Sequence, residues 1–185
     1  MRHPWRKFFI VLSILAGIPA AMFMVLSFSG HMKPFRMPTS GMAPTLEVGD
    51  HLYCVSYFGK KPKRGDVIVF SINDLPIPNP PGVNPDNVFY VKRLIGLPGD
   101  QLQIKADTLQ INGETFQPPD GVHYLPMGPN NLTYGITVPK DSLFVLGDNS
   151  PNSSDSRIWG SVPKENLLGK ATLIYWPPSR AGNIQ

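Results

Sequence analysis

Val88-Phe89-Tyr90-Val91-Lys92-Arg93-Leu94-Ile95, closed by Gly96-Leu97-Pro98-Gly99-Asp100, is a short run, apolar except for Lys92 and Arg93 and ended by turn-forming residues, the pattern of a β-strand. Working outward, comparable runs recur at 51–57, 66–72, 101–104, 109–112, 143–146 and 171–175. The apolar repeat of an amphipathic helix is largely missing beyond residue 30. With 21 prolines and 17 glycines punctuating these runs, the spacing predicts a mainly β domain of short strands. Thr108–Phe116 is the clearest hairpin, because Asn112-Gly113 suits the positive φ angles of a tight turn. Pro163–Leu168 opens on a proline and reads as a helical turn. The proline-rich 73–87 cannot form a regular ladder and is expected to be a loop, as is 117–131. No internal repeat is present.

The chain has 185 residues, enough for one core and an appendage. Phe8–Phe28 holds 21 residues without a charge, against the roughly 20 that a helix needs to cross a bilayer. It is expected to be a retained membrane anchor kinked at Pro19. A cleavable leader ending near Ser27-Phe28-Ser29 is the rival, but its apolar part would exceed the usual ~7–15 residues. Arg2, Arg6 and Lys7 precede the segment and Lys33 and Arg36 follow it, which places the N-terminus in the cytoplasm. The expected division is 1–30 as cytoplasmic N-terminus and anchor, and 31–185 as an extracytoplasmic β-rich domain. The single cysteine, Cys54, lies in a strand-like run and reads as a small buried apolar residue. A net charge of +4, gathered near the anchor and in Lys60–Arg64, suits attraction to anionic lipid. Nucleic-acid binding is not indicated, since the basic residues are neither interleaved with aromatics nor grouped on a recognisable helix. No Cys/His grouping has zinc-ligand spacing, and no metal or cofactor is expected.

A lysine titrates near 10.4 in water, so one acting as a base near neutral pH must be desolvated. Lys92 sits among apolar neighbours, unlike most lysines of the chain. Two further segments bear on it: Met37-Pro38-Thr39-Ser40-Gly41-Met42-Ala43-Pro44-Thr45-Leu46, and Gly147-Asp148-Asn149-Ser150-Pro151-Asn152-Ser153-Ser154-Asp155-Ser156-Arg157-Ile158-Trp159-Gly160.

Together with 90–100, these stretches resemble the sequence boxes of type I signal peptidases, membrane serine endopeptidases that use a lysine as general base. The resemblance spans roughly residues 33 to 176 and includes Val48-Gly49-Asp50 and Lys63–Phe70. It implies that family's mainly β catalytic domain on one transmembrane helix, in the bacterial cytoplasmic membrane. It also implies hydrolysis of signal peptides on exported preproteins without a cofactor, with contacts to the lipid bilayer and the protein-export machinery. By the same resemblance Lys92 is the base, Ser153 hydrogen-bonds and orients its amine, and Asp155 pairs with Arg157 behind the site. Thr39 takes the place of an oxyanion-hole hydroxyl, with the backbone N–H of Gly41 as the second oxyanion donor. Phe35, Met37, Pro38, Met42, Tyr90 and Val91 match the lining of two shallow pockets for small side chains one and three residues before the scissile bond. The self-cleaving repressors share the Ser-Lys logic but lack an anchor.

One position departs from the pattern. Where the family carries its nucleophilic serine, this chain has Gly41, and the neighbouring Ser40 stands where a glycine is usual. Side chains alternate along an extended segment, so Thr39 and Gly41 share a face and Ser40 points away. Three outcomes stay open: Ser40 reaching Lys92 through a bulge that Gly41 permits, Thr39 attacking instead, or a catalytically silent homologue that binds preproteins or assists an active paralogue.

Overall fold

The computed structural model describes residues 17–19, 21–22, 24–25, 27, 29–73, 75–77, 88–105, 108–126 and 132–185. Contacts divide the chain into Met1–Lys33 and Pro34–Gln185. Most of the expected anchor lies outside the described residues. Its described positions are helical and solvent-facing, with Ile18, Met22, Met24 and Val25 each about 60% exposed. No helix among the described residues is long and apolar enough to cross a membrane. Most of 73–87, and the end of the 117–131 loop, also lie outside them.

Twelve strands are described: β1 (Met32–Arg36), β2 (His51–Val55), β3 (Val67–Ser71), β4 (Phe89–Gly96), β5 (Gln101–Lys105), β6 (Thr108–Ile111), β7 (Glu114–Thr115), β8 (Ile136–Thr137), β9 (Ser142–Leu146), β10 (Val162–Pro163), β11 (Leu167–Trp176) and β12 (Gly182–Asn183). A larger sheet has the order β1-β2-β11-β3-β4-β9-β10, with β12 on β11. A smaller one runs β7-β6-β5-β8. The mainly β expectation is met, and the expected turn near residue 163 is a 3₁₀ turn at Lys164–Asn166.

Alternation explains how the larger sheet is filled on both faces. Val67 and Val69 of β3 enter one core with Met37, Met42, Leu46, Leu52 and Val91, while Ile68 and Phe70 enter another with Leu94, Leu143, Val145 and Trp159. A strand buried on both faces reads as an unbroken apolar run, which is what 67–70 shows. A third core joins the smaller sheet to the end of β4 and β9 through Ile95, Leu102, Leu109, Phe144 and Leu146. Gly96 sits at that junction, where an added Cβ would lie 2.7 Å from Val138 and 2.8 Å from Leu102, so a side chain there would force the layers apart. The expected hairpin forms between β6 and β7, with φ of 54° at Asn112 and 84° at Gly113. Cys54 is buried in β2 and carries no disulfide.

Candidate active site

Lys92 lies at the middle of β4, where β3 pairs alongside it through Ile68. It is only 6% exposed. Its ammonium is pushed down to about 8, chiefly by burial and also by Arg157, against the opposing pull of Asp155 and Asp148. Its Nζ lies 5.8 Å from the centre of the Tyr90 ring. A Cβ placed on Gly41 would be 3.0 Å from this Nζ and 3.8 Å from Ser153 Cα. Gly41 therefore faces the amine directly, and a serine there would need only a few tenths of an ångström of yielding from the flexible end of Lys92.

Phe35, Arg36, Met37, Pro38, Thr39 and Gly41 form one wall of a groove of about 400 Å³, and Val88–Lys92 form the other. Asn152 and Ser154 contribute to its lining. Thr39 and Gly41 both line the groove and Ser40 does not, although 39–45 is a run of bends and turns and not the extended segment expected from the sequence. Phe35 and Phe89 meet edge to face across the groove at 5.4 Å. The ladder between β4 and β9 begins at Arg93, leaving the Phe89–Lys92 side of β4 outside that pairing.

Two expected contacts are corrected. Met42 has no exposed surface and packs in the core with Leu46 and Leu52, so it is not a pocket residue. Its neighbour Gly41 takes the groove-facing position, and Met42 points into the sheet. Ser153 does not hydrogen-bond Lys92: its Oγ is buried without a hydrogen-bond partner. That oxygen is wedged against Gly147, where an added Cβ would collide with both Ser153 and the Gly41 carbonyl.

Behind the lysine, Asp155 caps the short helix α1 (Ser156–Trp159) by accepting from Arg157 N–H. The Arg157 guanidinium returns to Asp155 through Nη2 at 2.7 Å and Nε at 2.8 Å, with both side chains almost wholly buried. Arg157 also donates to Ser150 Oγ, Ser150 O and Leu125 O, and Asp155 accepts from Gly147 N–H. Every strong donor of the arginine faces an acceptor, which is the condition for a buried charge to be tolerated.

A second buried ion pair lies beside the first. Arg93 donates to both oxygens of Asp148, at 2.9 and 2.6 Å, and to the carbonyls of Gly65 and Gln185. Thr45 and Tyr124 donate to the same carboxylate. The Asn149 side chain donates to Ser40 O at 3.1 Å and its backbone N–H to Gly41 O at 3.2 Å. Both Asp148 and Asn149 lie in the quoted 147–160 stretch, but only the folded chain shows which atoms they hold.

Fold and site define an all-β domain with a buried lysine facing an apolar, peptide-sized groove. The chain belongs to the signal peptidase family, peptidase S26, whose family model matches residues 10–176. It is 38% identical over 150 residues to a signal peptidase I of Leptolyngbya laminosa, covering 80% of this chain and 70% of that one. A probable signal peptidase I-2 of Synechocystis is 38% identical over 79% of this chain and 64% of its own length. The thylakoidal processing peptidase 1 of Arabidopsis thaliana is 33% identical over 91% of this chain, which spans about half of that relative (49%).

Proposed function

We propose that this chain removes N-terminal signal peptides from exported preproteins at a membrane, as an endopeptidase whose base is Lys92 and whose hydroxyl is Ser40. The carrying observation is the buried Lys92 amine, held 3.0 Å from the Cβ position of residue 41 in the apolar groove. The open edge of β4 suits an extended peptide added as a further strand, with main-chain bonds giving affinity and the shallow lining selecting small side chains. Phe35, Met37, Pro38, Tyr90 and Val91 serve as that lining. The Phe8–Phe28 segment anchors the chain in the bacterial cytoplasmic membrane, with the N-terminus inside and the β domain outside. Bilayer lipid and the export machinery are its partners there, and it needs no metal or cofactor.

Ser40 must turn to reach the amine. Turning the backbone at both Ser40 and Gly41 breaks three hydrogen bonds: Asn149 side chain to Ser40 O, Asn149 N–H to Gly41 O, and Ala43 N–H to Ser40 O. At about 1 kcal/mol net each, the penalty is a factor of roughly 10². Lacking a nucleophile altogether costs a serine protease about 10⁶-fold, so the rotated route dominates. In that route Nζ takes the Ser40 Oγ proton as the oxygen attacks the scissile carbonyl. The proton passes to the leaving amine, and water then hydrolyses the ester on Ser40. The family resemblance makes the Thr39 hydroxyl and the Gly41 N–H the donors to the developing oxyanion, and the rotation has to rebuild that pair.

A second reading is favoured by one observation, that Ser40 stands off the groove wall: a silent homologue that binds signal peptides or assists an active paralogue. Preprotein cleavage by the detergent-solubilised chain decides between them. Cleavage abolished by both Ser40→Ala and Lys92→Ala supports the peptidase. Binding that persists in Lys92→Ala, with no cleavage by the native chain, supports the silent homologue.

A further inference from the structure

We infer that Asn149 is a positioning residue that locks the Ser40–Gly41 segment in its resting orientation, so that it restrains the native chain and would assist a variant with serine at 41. This rests on the Ser40 reading above. Asn149 grips two consecutive carbonyls, Ser40 O with its side chain at 3.1 Å and Gly41 O with its backbone at 3.2 Å. The two carbonyls belong to successive peptide groups joined at Gly41, so holding both from one residue fixes the backbone angles of Gly41, the hinge about which Ser40 would have to turn toward Lys92. The grip is itself supported, since Asn149 O accepts from Asn152 N–H at 3.0 Å. Gly147 closes the same corner, being packed against the Gly41 carbonyl.

The orientation that is locked points Ser40 off the groove and Gly41 at the amine. The lock therefore opposes catalysis by Ser40, which needs the peptide turned, and favours catalysis by a serine at 41, which needs it kept. A residue that merely stabilises the fold would shift both backgrounds in the same direction. Asn149 is expected to shift them in opposite directions.

The test compares kcat and KM for preprotein cleavage by the full chain in detergent, with and without Asn149→Ala, in the native and Gly41→Ser backgrounds. Asn149→Leu, of similar size but without a donor, is run beside it, and melting curves establish that each variant folds. One lost hydrogen bond of about 1 kcal/mol corresponds to about fivefold in rate. The expected result is a kcat raised about fivefold in the native background and lowered at least as much in Gly41→Ser. KM and the pH midpoint set by Lys92 should be unchanged. If Ser40→Ala abolishes native cleavage but Asn149→Ala acts in the same direction in both backgrounds, the lock is overturned and the Ser40 reading stands. If the native chain and its Asn149 variants are all silent while Gly41→Ser cleaves, the Ser40 reading is overturned and the lock falls with it.

Discussion

The two halves of the site are built differently. On the base side, Lys92 sits in a strand paired to β3 and is backed by the Asp155–Arg157 pair, whose atoms are buried and multiply bonded. On the nucleophile side, residues 39–41 lie between β1 and the Leu46 core, held mainly through backbone carbonyls by a half-buried asparagine. The contrast teaches that the chemistry of the base is tied to the stability of the sheet, whereas the identity of the attacking residue rests on the backbone angles at Gly41. A serine and a glycine can trade places there without disturbing a core side chain, because Met42 and Leu46 keep their positions.

The largest effect that sharpens this contrast is at the base. In the Gly41→Ser background, Lys92→Ala should lower kcat by about 10²–10⁴-fold, the usual worth of general base catalysis, with little change in KM. A loss under tenfold would break the comparison. Next, cutting the support behind the base should unfold the domain before it touches the chemistry. Arg157→Leu leaves Asp155 buried and unpaired, and should cost about 3–5 kcal/mol in denaturant titration.

The same burial that tunes Lys92 also strains the fold. The neutral amine is the active form, so kcat should rise with pH through about 8 and level off above it. For stability, the folded state releases the proton at about 8 and the unfolded chain near its ordinary value of 10.5. The unfolded state then binds more protons between these values, so this group makes stability rise with pH across that window. Below it, the protonated amine is a burden on the folded state. Lys92→Met should therefore stabilise the domain at pH 7, by on the order of 3 kcal/mol, and remove the alkaline rise. Equal stability of the two chains at pH 7 and pH 10 would contradict the burial argument. The smallest effect separates core from groove. Met42→Leu, a volume-conserving swap in the core, should cost less than about 1.5 kcal/mol and leave KM alone, whereas Phe35→Ala, at a half-buried groove residue, should raise KM for preprotein.

Much of this was legible in the chain. A continuous apolar run such as Val67–Phe70 announces a strand buried on both faces, and the Asn112-Gly113 turn announces its hairpin. The two-residue strands β8, β10 and β12 carry no pattern of their own and exist only because longer strands offer them an edge. Alternation named the same pair, Thr39 and Gly41, that lines the groove, but the segment that does so is a run of bends and turns that the sequence did not announce. It could not show that Met42 is wholly buried, because apolar residues at a groove and in a core look alike in sequence. Nor could it show the Asn149 grip, which depends on residues more than 100 positions apart meeting through backbone atoms.

The most direct test of the central claim, that position 41 faces an intact base across an intact groove, is the kcat of Gly41→Ser against the native chain at pH 8. The account predicts a rise of roughly 10–10³-fold, equal to relief of the hydrogen bonds that rotation of Ser40 must break. An unchanged or lower rate in a well-folded Gly41→Ser chain would contradict it.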